Sequence, residues 1–384
     1  MAFYLYVFFS GFNCMMPFWA LFLSEKYSFS SENIILFFSI FSIAIFLLEL
    51  PVGLLTDRLG TKKSTAIGLF LKALSVLLLL ISDSFIIPFI SQFLVGTGEA
   101  FCSGSRDAFA YRYYSIKIGG NEFHSFNART NSLNWIGIVA SFVCASFASY
   151  ISFNYILVVS FTAYIIATVS LLTVKLQESG DVLYSESSFQ QIKDIISVLI
   201  RDRNLLSLLV YTSAIQALLS AMFTLFQPLL NELNIANRTN GFLYAFVALF
   251  AVIGSSMQPI LRKKVNSDLK QLTIVSFFMV IICAVIAFST LHIVGLVVVF
   301  AIFRFVFGYS GPAISSMLNL TIKNENLRAS LFSVRSLAIN LLQFITLLLL
   351  QSIKVSTSIR YCFVLFFIII FMLMIWKTEK TSSD

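Results

Sequence analysis

Residues 49–64 read ELPVGLLTDRLGTKKS and separate two apolar runs of membrane length. Gly53 would allow two helices to approach closely, and Gly60 would permit a tight turn between them. The Asp57 carboxylate can accept hydrogen bonds at the N-terminus of a facing helix or pair with a cation. Three basic side chains complete the segment and would bind lipid headgroups, namely Arg58, Lys62 and Lys63. The segment therefore predicts a cytoplasmic turn between two membrane-spanning helices.

The composition of the whole chain agrees with a membrane protein. Of its 384 residues, 58% are hydrophobic and 11% are charged, whereas a soluble domain carries about 25% charged residues. The mean hydropathy is +0.91, so most apolar side chains must face lipid. Barrel strands would alternate in polarity over about 10 residues. The apolar runs here last about twenty residues without alternation, which predicts helices.

The apolar runs predict twelve transmembrane helices in two groups of six. The spans lie near residues 3–23, 34–54, 65–83, 86–112, 128–150, 153–174, 204–230, 240–261, 271–289, 291–316, 329–350 and 357–376. A polar stretch separates the two groups. We therefore expect an all-α integral membrane protein built from a bundle over 1–174, a cytoplasmic linker over 175–203, a second bundle over 204–376 and a cytoplasmic tail over 377–384.

Lysine and arginine concentrate on one side of these spans. The opposite side carries little more than Lys26, Arg238, Lys354 and Arg360. The positive-inside rule then places both termini in the cytoplasm and requires an even number of spans. We expect a multi-pass protein of the cell (inner) membrane. The formal charge of +8 is explained by topology, so nucleic acid is not an expected partner.

The two groups of spans also contain matching segments. QFLVG at residues 92–96 aligns with RFVFG at 304–308, and FNAR at 126–129 aligns with FSVR at 332–335. Each pair occupies the same place in the six-plus-six arrangement. The matches indicate two pseudo-symmetric bundles that arose by duplication.

The segment at residues 49–64 resembles the cytoplasmic signature of the major facilitator superfamily, G-x-x-x-D-R-x-G-R-[RK]. Six of its positions match, and Thr61 departs from the pattern; the matching residues are Gly53, Asp57, Arg58, Gly60, Lys62 and Lys63. A loop that only sets topology would be basic without this spacing. The resemblance implies the major facilitator fold and a cytoplasmic gate that Asp57 and Arg58 latch, with Glu49 as a gate partner. Residues 49–51 and 96–108 also resemble bacterial exporters.

A polar stripe runs along the predicted fourth span. Gln92, Glu99 and Arg106 recur every seven residues and share one helix face. A charged group at bilayer depth costs about 2.5–3.5 kcal/mol, which favours a functional role. Glu99 is the preferred proton carrier, and Arg106 and the interfacial Asp107 are further candidates for proton coupling. A structural ion pair between Glu99 and Arg106 is the alternative.

Arg304 occupies the place in the second group that Gln92 occupies in the first. It would attract an anionic substrate or a carboxylate, and a hydrogen bond to helix carbonyls is the alternative. The resemblance places the first, fourth, seventh and tenth helices around the cavity. The remaining polar candidates for its wall are Asn13, Asn131, Asn134, Trp135, Tyr211, Gln216 and Gln227.

Metal, cofactor and catalytic sites are not predicted. Only two histidines occur, and no cysteine forms a CxxC pair. No dense set of nucleophile and base appears, so we do not expect an enzyme, although a membrane enzyme or lipid-handling protein is the alternative from another class. The predicted function is a proton-coupled exporter of drug-like or amphipathic compounds. The alternative is a proton-coupled importer of a nutrient or siderophore. The expected partners of the monomer are a small solute, protons and membrane lipids.

Overall fold

The computed structural model describes residues 1–119, 123–176, 203–232, 240–264, 293–321 and 325–350, together with residues 270, 273 and 277. Regular structure within these ranges is helical. The helices are α1 (Ala2–Ser10), α2 (Trp19–Tyr27), α3 (Ser31–Leu59), α4 (Thr61–Ile81), α5 (Ile87–Lys117), α6 (Phe123–Ser149), α7 (Phe153–Thr173), α8 (Arg203–Glu232), α9 (Asn240–Lys264), α10 (Ile293–Thr321) and α11 (Glu325–Leu350).

Ten of the twelve predicted spans fall in the described ranges. Helices α1 and α2 together cover the first predicted span, and each helix from α3 to α11 covers one more. Seven of these helices contain an apolar segment long enough to cross a membrane. The predicted spans at 271–289 and 357–376, most of the predicted linker and the predicted tail lie outside the described residues. The all-helical membrane architecture is confirmed.

The apolar run predicted one continuous helix for the first span, but the structure shows two helices with a break between them. The break lies between Gly11 and Phe18, where the chain forms short turns before α2 begins. Pro17 lies in this break and lacks the N–H that a continuous helix requires. A side chain from a distant helix replaces one missing helical bond, because Gln227 Oε1 accepts a hydrogen bond from the Ala20 N–H at 2.7 Å.

The turn between α3 and α4 is as tight as the sequence predicted. Gly60 adopts φ 85° and ψ 155° and is followed at once by α4. A positive φ of this size favours glycine, because it has no Cβ. The two long helices therefore reverse direction over a single residue.

A close crossing of α4 and α5 positions the charged residues of the first half. A Cβ added to Gly68 would lie 2.5 Å from Gly98 O, and one added to Gly98 would lie 2.6 Å from Gly68 O. Two glycines that face each other in this way let helix backbones approach closely. Lys72 follows Gly68 by one turn and Glu99 follows Gly98 directly, so the crossing brings their side chains together.

The most extensive contacts between the two halves of the chain run along two helix pairs. Helix α6 packs against α9, and α3 packs against α11. Helix α3 also packs against α5, so it lies between its own half and the other half. Side chains on this side of α3 are therefore placed where the two halves meet.

Candidate functional site

An ion-paired cluster lies at the crossing of α4 and α5. Lys72 Nζ donates a hydrogen bond to Glu99 Oε2, and Arg106 Nη2 lies 3.3 Å from Glu99 Oε1. The Lys72 side chain is 7% exposed and the Glu99 side chain is 29% exposed. Glu99 therefore lies between two cations. The sequence predicted the pairing of Glu99 with Arg106 as one alternative, and the structure adds Lys72 as the second cation.

Lys72 is the functional candidate that the sequence reasoning missed. It is the only charged residue between residues 64 and 82, within the apolar run of α4. A lysine buried at that depth without an anion would be costly, so its presence in the run was the available signal. Its anionic partner comes from another helix.

Glu49 lies in a second polar contact, between α3, α5 and α11. It is 6% exposed, and its Oε1 accepts a hydrogen bond from Ser103 Oγ at 2.8 Å. The Ser336 hydroxyl of α11 also faces this carboxyl group. Oε2 is buried and has no hydrogen-bond partner among the described residues. Glu49 is thus held by hydroxyl groups rather than by a cation.

Arg304 of α10 is surrounded by aromatic rings. Its Cζ lies 3.3 Å from the centroid of the Phe223 ring, 5.4 Å from that of Trp135 and 5.3 Å from that of Phe307. Its Nε is buried and has no hydrogen-bond partner within the described ranges. The ion pairs found in those ranges join Lys26 with Asp83 and Glu99 with Lys72 and Arg106, and Arg304 takes part in none. The rings come from α6, α8 and α10, so this aromatic cluster joins both halves of the chain.

Two predicted cavity residues make hydrogen bonds between helices. Asn134 Nδ2 donates to Val7 O at 3.0 Å and to Ser10 Oγ at 3.2 Å, which joins α6 to α1. Gln227 joins α8 to the start of α2 through its bond to Ala20. Its Nε2 is buried and has no partner among the described residues. These side chains hold the first span in its broken form.

The other polar candidates are distributed over several environments. Gln216 Oε1 accepts a hydrogen bond from Arg335, which joins α8 to α11. Tyr211 and Gln92 are buried, whereas Asn131 is exposed. Asn13 is half-buried in the break of the first span, and its N–H donates to Ser141 Oγ at 3.3 Å. The side chain of Asp107 lies outside the described part of the structure.

The gate motif differs in detail from its predicted contacts. A Cβ added to Gly53 would meet no described atom within 4 Å, so the described residues show no close helix approach there, and the predicted role of Gly53 stays a prediction. Lys62 Nζ donates to Leu172 O and Val174 O, both at 2.8 Å. It therefore binds carbonyl oxygens at the C-terminal end of α7, a favourable position for a cation. Lys63 is exposed, and the side chains of Asp57 and Arg58 lie outside the description.

Comparison with known proteins agrees with this architecture of long apolar helices and buried charged groups. A family model for the Major Facilitator Superfamily matches residues 1–347. This match covers most of the chain, and the protein belongs to that superfamily. It is therefore a multi-pass membrane protein of a family of transporters.

Individual relatives agree on the fold. The chain is 22% identical over 254 residues to "Uncharacterized MFS-type transporter YxaM" of Bacillus subtilis (strain 168). That match covers 66% of this chain and 63% of the relative, which is just under two thirds of its length. The crystal structure of nucleoside transporter NupG superposes with a TM-score of 0.73 at 12% identity and covers 97% of both chains. A mutant of NupG gives a TM-score of 0.74 at 13% identity, with 97% of this chain and 98% of that chain covered. At such identities the likeness shows the shared fold.

Proposed function

We propose that this chain is a proton-coupled secondary transporter that exports drug-like or amphipathic compounds by alternating access. Membership of the superfamily supports movement of a small solute across the membrane. The preference for amphipathic compounds is inferred from the surroundings of Arg304. Its charged group lies among the rings of Trp135, Phe223 and Phe307. Such a place offers an anion both a cation and apolar surface.

The position of this aromatic cluster also fits the mechanism. Trp135 belongs to the first half of the chain, whereas Arg304 and Phe223 belong to the second. A solute bound against all three would contact both halves at once. Rocking of one half against the other would then change the access to that solute from one side of the membrane to the other.

We also propose a membrane topology and an oligomeric state for the protein. The two bundles comprise residues 1–174 and 204–376, and the linker at 175–203 and both termini lie in the cytoplasm. The protein acts as a monomer in the cell (inner) membrane, with basic loop residues against the lipid headgroups. The lysine and arginine distribution supports this orientation.

Import is the second candidate, because the superposed NupG structures are named as those of a nucleoside transporter. Their identity of 12–13% supports the fold alone. Cells that lack the protein separate the two directions. Greater accumulation of a transported compound in those cells supports export, whereas loss of its uptake supports import.

A reconstituted assay tests both the coupling and the solute class. Proteoliposomes with an imposed pH gradient would receive an amphipathic carboxylate dye, an amphipathic cationic dye or uridine. We expect the carboxylate dye to move against its gradient while the pH gradient lasts. Uptake that equals that of protein-free liposomes for all three probes would contradict the proposal.

The variant Arg304→Gln tests the anion contact in the same assay. We expect it to lose transport of the carboxylate dye, because the cation that faces the anion is removed. Arg304→Lys retains a positive charge and should recover part of the transport. Lys26→Gln is the matched control, since it removes a cation that pairs with Asp83 at 2.8 Å, away from the aromatic cluster. Unchanged dye transport in Arg304→Gln would remove this residue from solute binding.

A further inference from the structure

Two glutamates of the first half contact helix α5 and have different partners: Glu99 belongs to α5, and Glu49 binds Ser103 one turn further along it. Glu99 is held by Lys72 and Arg106. Glu49 faces the Ser103 and Ser336 hydroxyl groups, and the nearby charged group that acts on it is the Glu99 carboxylate. A second negative charge at Glu49 would therefore be repelled rather than compensated.

The helices packed around Glu49 supply no cation to it within the described residues. On α5, Arg106 binds Glu99, and on α4, Lys72 does the same. On α11, Arg335 donates its hydrogen bond to Gln216 of α8. The contacts that the structure shows for Glu49 are thus neutral hydroxyl groups.

The buried oxygen Oε2 decides which form of the carboxyl group fits this packing. An unpaired ionised carboxylate away from water is strongly destabilised, whereas a protonated one carries an O–H that can donate a hydrogen bond. The Ser336 hydroxyl across the interface can accept such a bond. The packed arrangement of α3 and α11 therefore suits a protonated Glu49.

We propose that Glu49 is the proton-binding group of the transport cycle. It holds a proton while α3 and α11 are packed together, and it releases that proton to water when the two helices separate. Hydronium on one side of the membrane transfers the proton to a carboxylate oxygen of Glu49 and becomes water, and the carboxyl group later transfers the proton to water on the other side, so that no other covalent bond changes. This inference rests on the proposed proton-coupled transport and assigns the proton to a residue.

The separation of α3 from α11 is the step that links the proton to the solute. Ser103 belongs to the same half of the chain as Glu49, whereas Ser336 belongs to the other half. Rocking of the halves would remove Ser336 and admit water to Oε2. Glu99 would keep both of its cations during that movement, because Lys72 and Arg106 belong to its own half.

Infrared spectroscopy tests the assignment without a transported solute. The full-length protein in lipid is titrated with pH while the carbonyl stretch of protonated carboxylic acids is recorded. Near neutral pH, where exposed carboxyl groups are ionised, we expect the wild type to keep a band that weakens as pH rises further, and Glu49→Gln to lack that residual band. The control Lys26→Gln should retain it, and in Glu99→Gln, which removes the negative charge near Glu49, the band should weaken at a lower pH. A band that persists unchanged in Glu49→Gln, or no such band in the wild type, would overturn the assignment.

Two further measurements keep a folding defect and a failure of coupling apart. Glu49→Asp retains a carboxyl group and should retain a titrating band, which shows that the site tolerates substitution. Accumulation of the carboxylate dye by wild-type proteoliposomes, with and without a pH gradient, tests proton coupling itself. Equal dye accumulation by the wild type with and without the pH gradient would refute coupled transport. If the pH gradient increases dye accumulation equally in the wild type and in Glu49→Gln, only the role of Glu49 is refuted.

Discussion

The crossing of α4 with α5 and the contact of α3 with α11 each hold one glutamate, and they do so with opposite kinds of partner. At the crossing, Glu99 meets two cations from its own half of the chain. At the contact between halves, Glu49 meets hydroxyl groups, one of them from the other half. An ion pair is suited to a contact that stays closed, because breaking it would leave uncompensated charges. Neutral hydrogen bonds are suited to a contact that opens.

The largest effect that we predict is for Glu99→Gln. The substitution leaves Lys72 and Arg106 without their anion, and loss of one partner from a buried pair costs about 3–5 kcal/mol. The purified protein is heated, and the fraction that stays monodisperse is recorded at each temperature. This experiment gives the change in the unfolding temperature. The double variant Lys72→Met with Glu99→Gln should recover part of the stability. An unchanged unfolding temperature in Glu99→Gln would show that the cluster does not stabilise the fold.

A smaller effect is expected at the helix crossing itself. Gly98→Ala places a Cβ 2.6 Å from Gly68 O, so α4 and α5 must move apart. Overpacking of this kind costs about 1–3 kcal/mol. Gly53→Ala is the matched control, because its Cβ meets no described atom within 4 Å. The same thermal assay should separate the two variants, and equal stability for both would contradict the close crossing.

The contact between halves should respond less strongly. Ser103→Ala removes the donor to Glu49 Oε1, and a single hydrogen bond contributes about 0.5–1.5 kcal/mol. The unfolding temperature should fall only slightly. A loss as large as that of Glu99→Gln would indicate that Glu49 is ionised and depends on Ser103, which would contradict a protonated Glu49.

The smallest change in stability is expected for Glu49→Gln. The amide resembles a protonated carboxyl group in size and can still accept the hydrogen bond from Ser103, so the unfolding temperature should stay within the error of the wild type. Direct comparison with Glu99→Gln in one unfolding experiment provides the sharpest contrast. Similar losses for the two variants would remove the distinction between the two glutamates.

Much of the fold followed from local features of the sequence. The twenty-residue apolar runs predicted the helices, and Gly60 predicted the tight turn after α3. The motif around that turn pointed to the superfamily that the family model confirms. The role predicted for Arg304 remains a prediction, and the proton-coupling roles predicted for Glu99 and Arg106 stand as the alternative to the assignment of the proton to Glu49.

Other features could not be predicted from the sequence, because they depend on contacts between residues that are far apart in the chain. Lys72 and Glu99 are 27 positions apart, and a hydropathy pattern does not show that one run supplies the partner of another. The continuous first span was predicted from its apolar run, but Pro17 interrupts it, and Gln227 accepts the hydrogen bond from Ala20 that the interruption leaves without a helical partner. Lys62 was expected at the lipid surface and instead binds the end of α7.

The sequence by itself determined that the chain is a bundle of membrane helices of the major facilitator type. Hydrophobic length and the spacing of a short motif are local properties, and the bilayer allows apolar segments of that length few structures. Only the tertiary structure decided which buried carboxyl group meets cations and which meets hydroxyl groups. That choice depends on which helix faces cross, and at the Gly68–Gly98 contact the crossing is set by two backbones that approach without side chains between them.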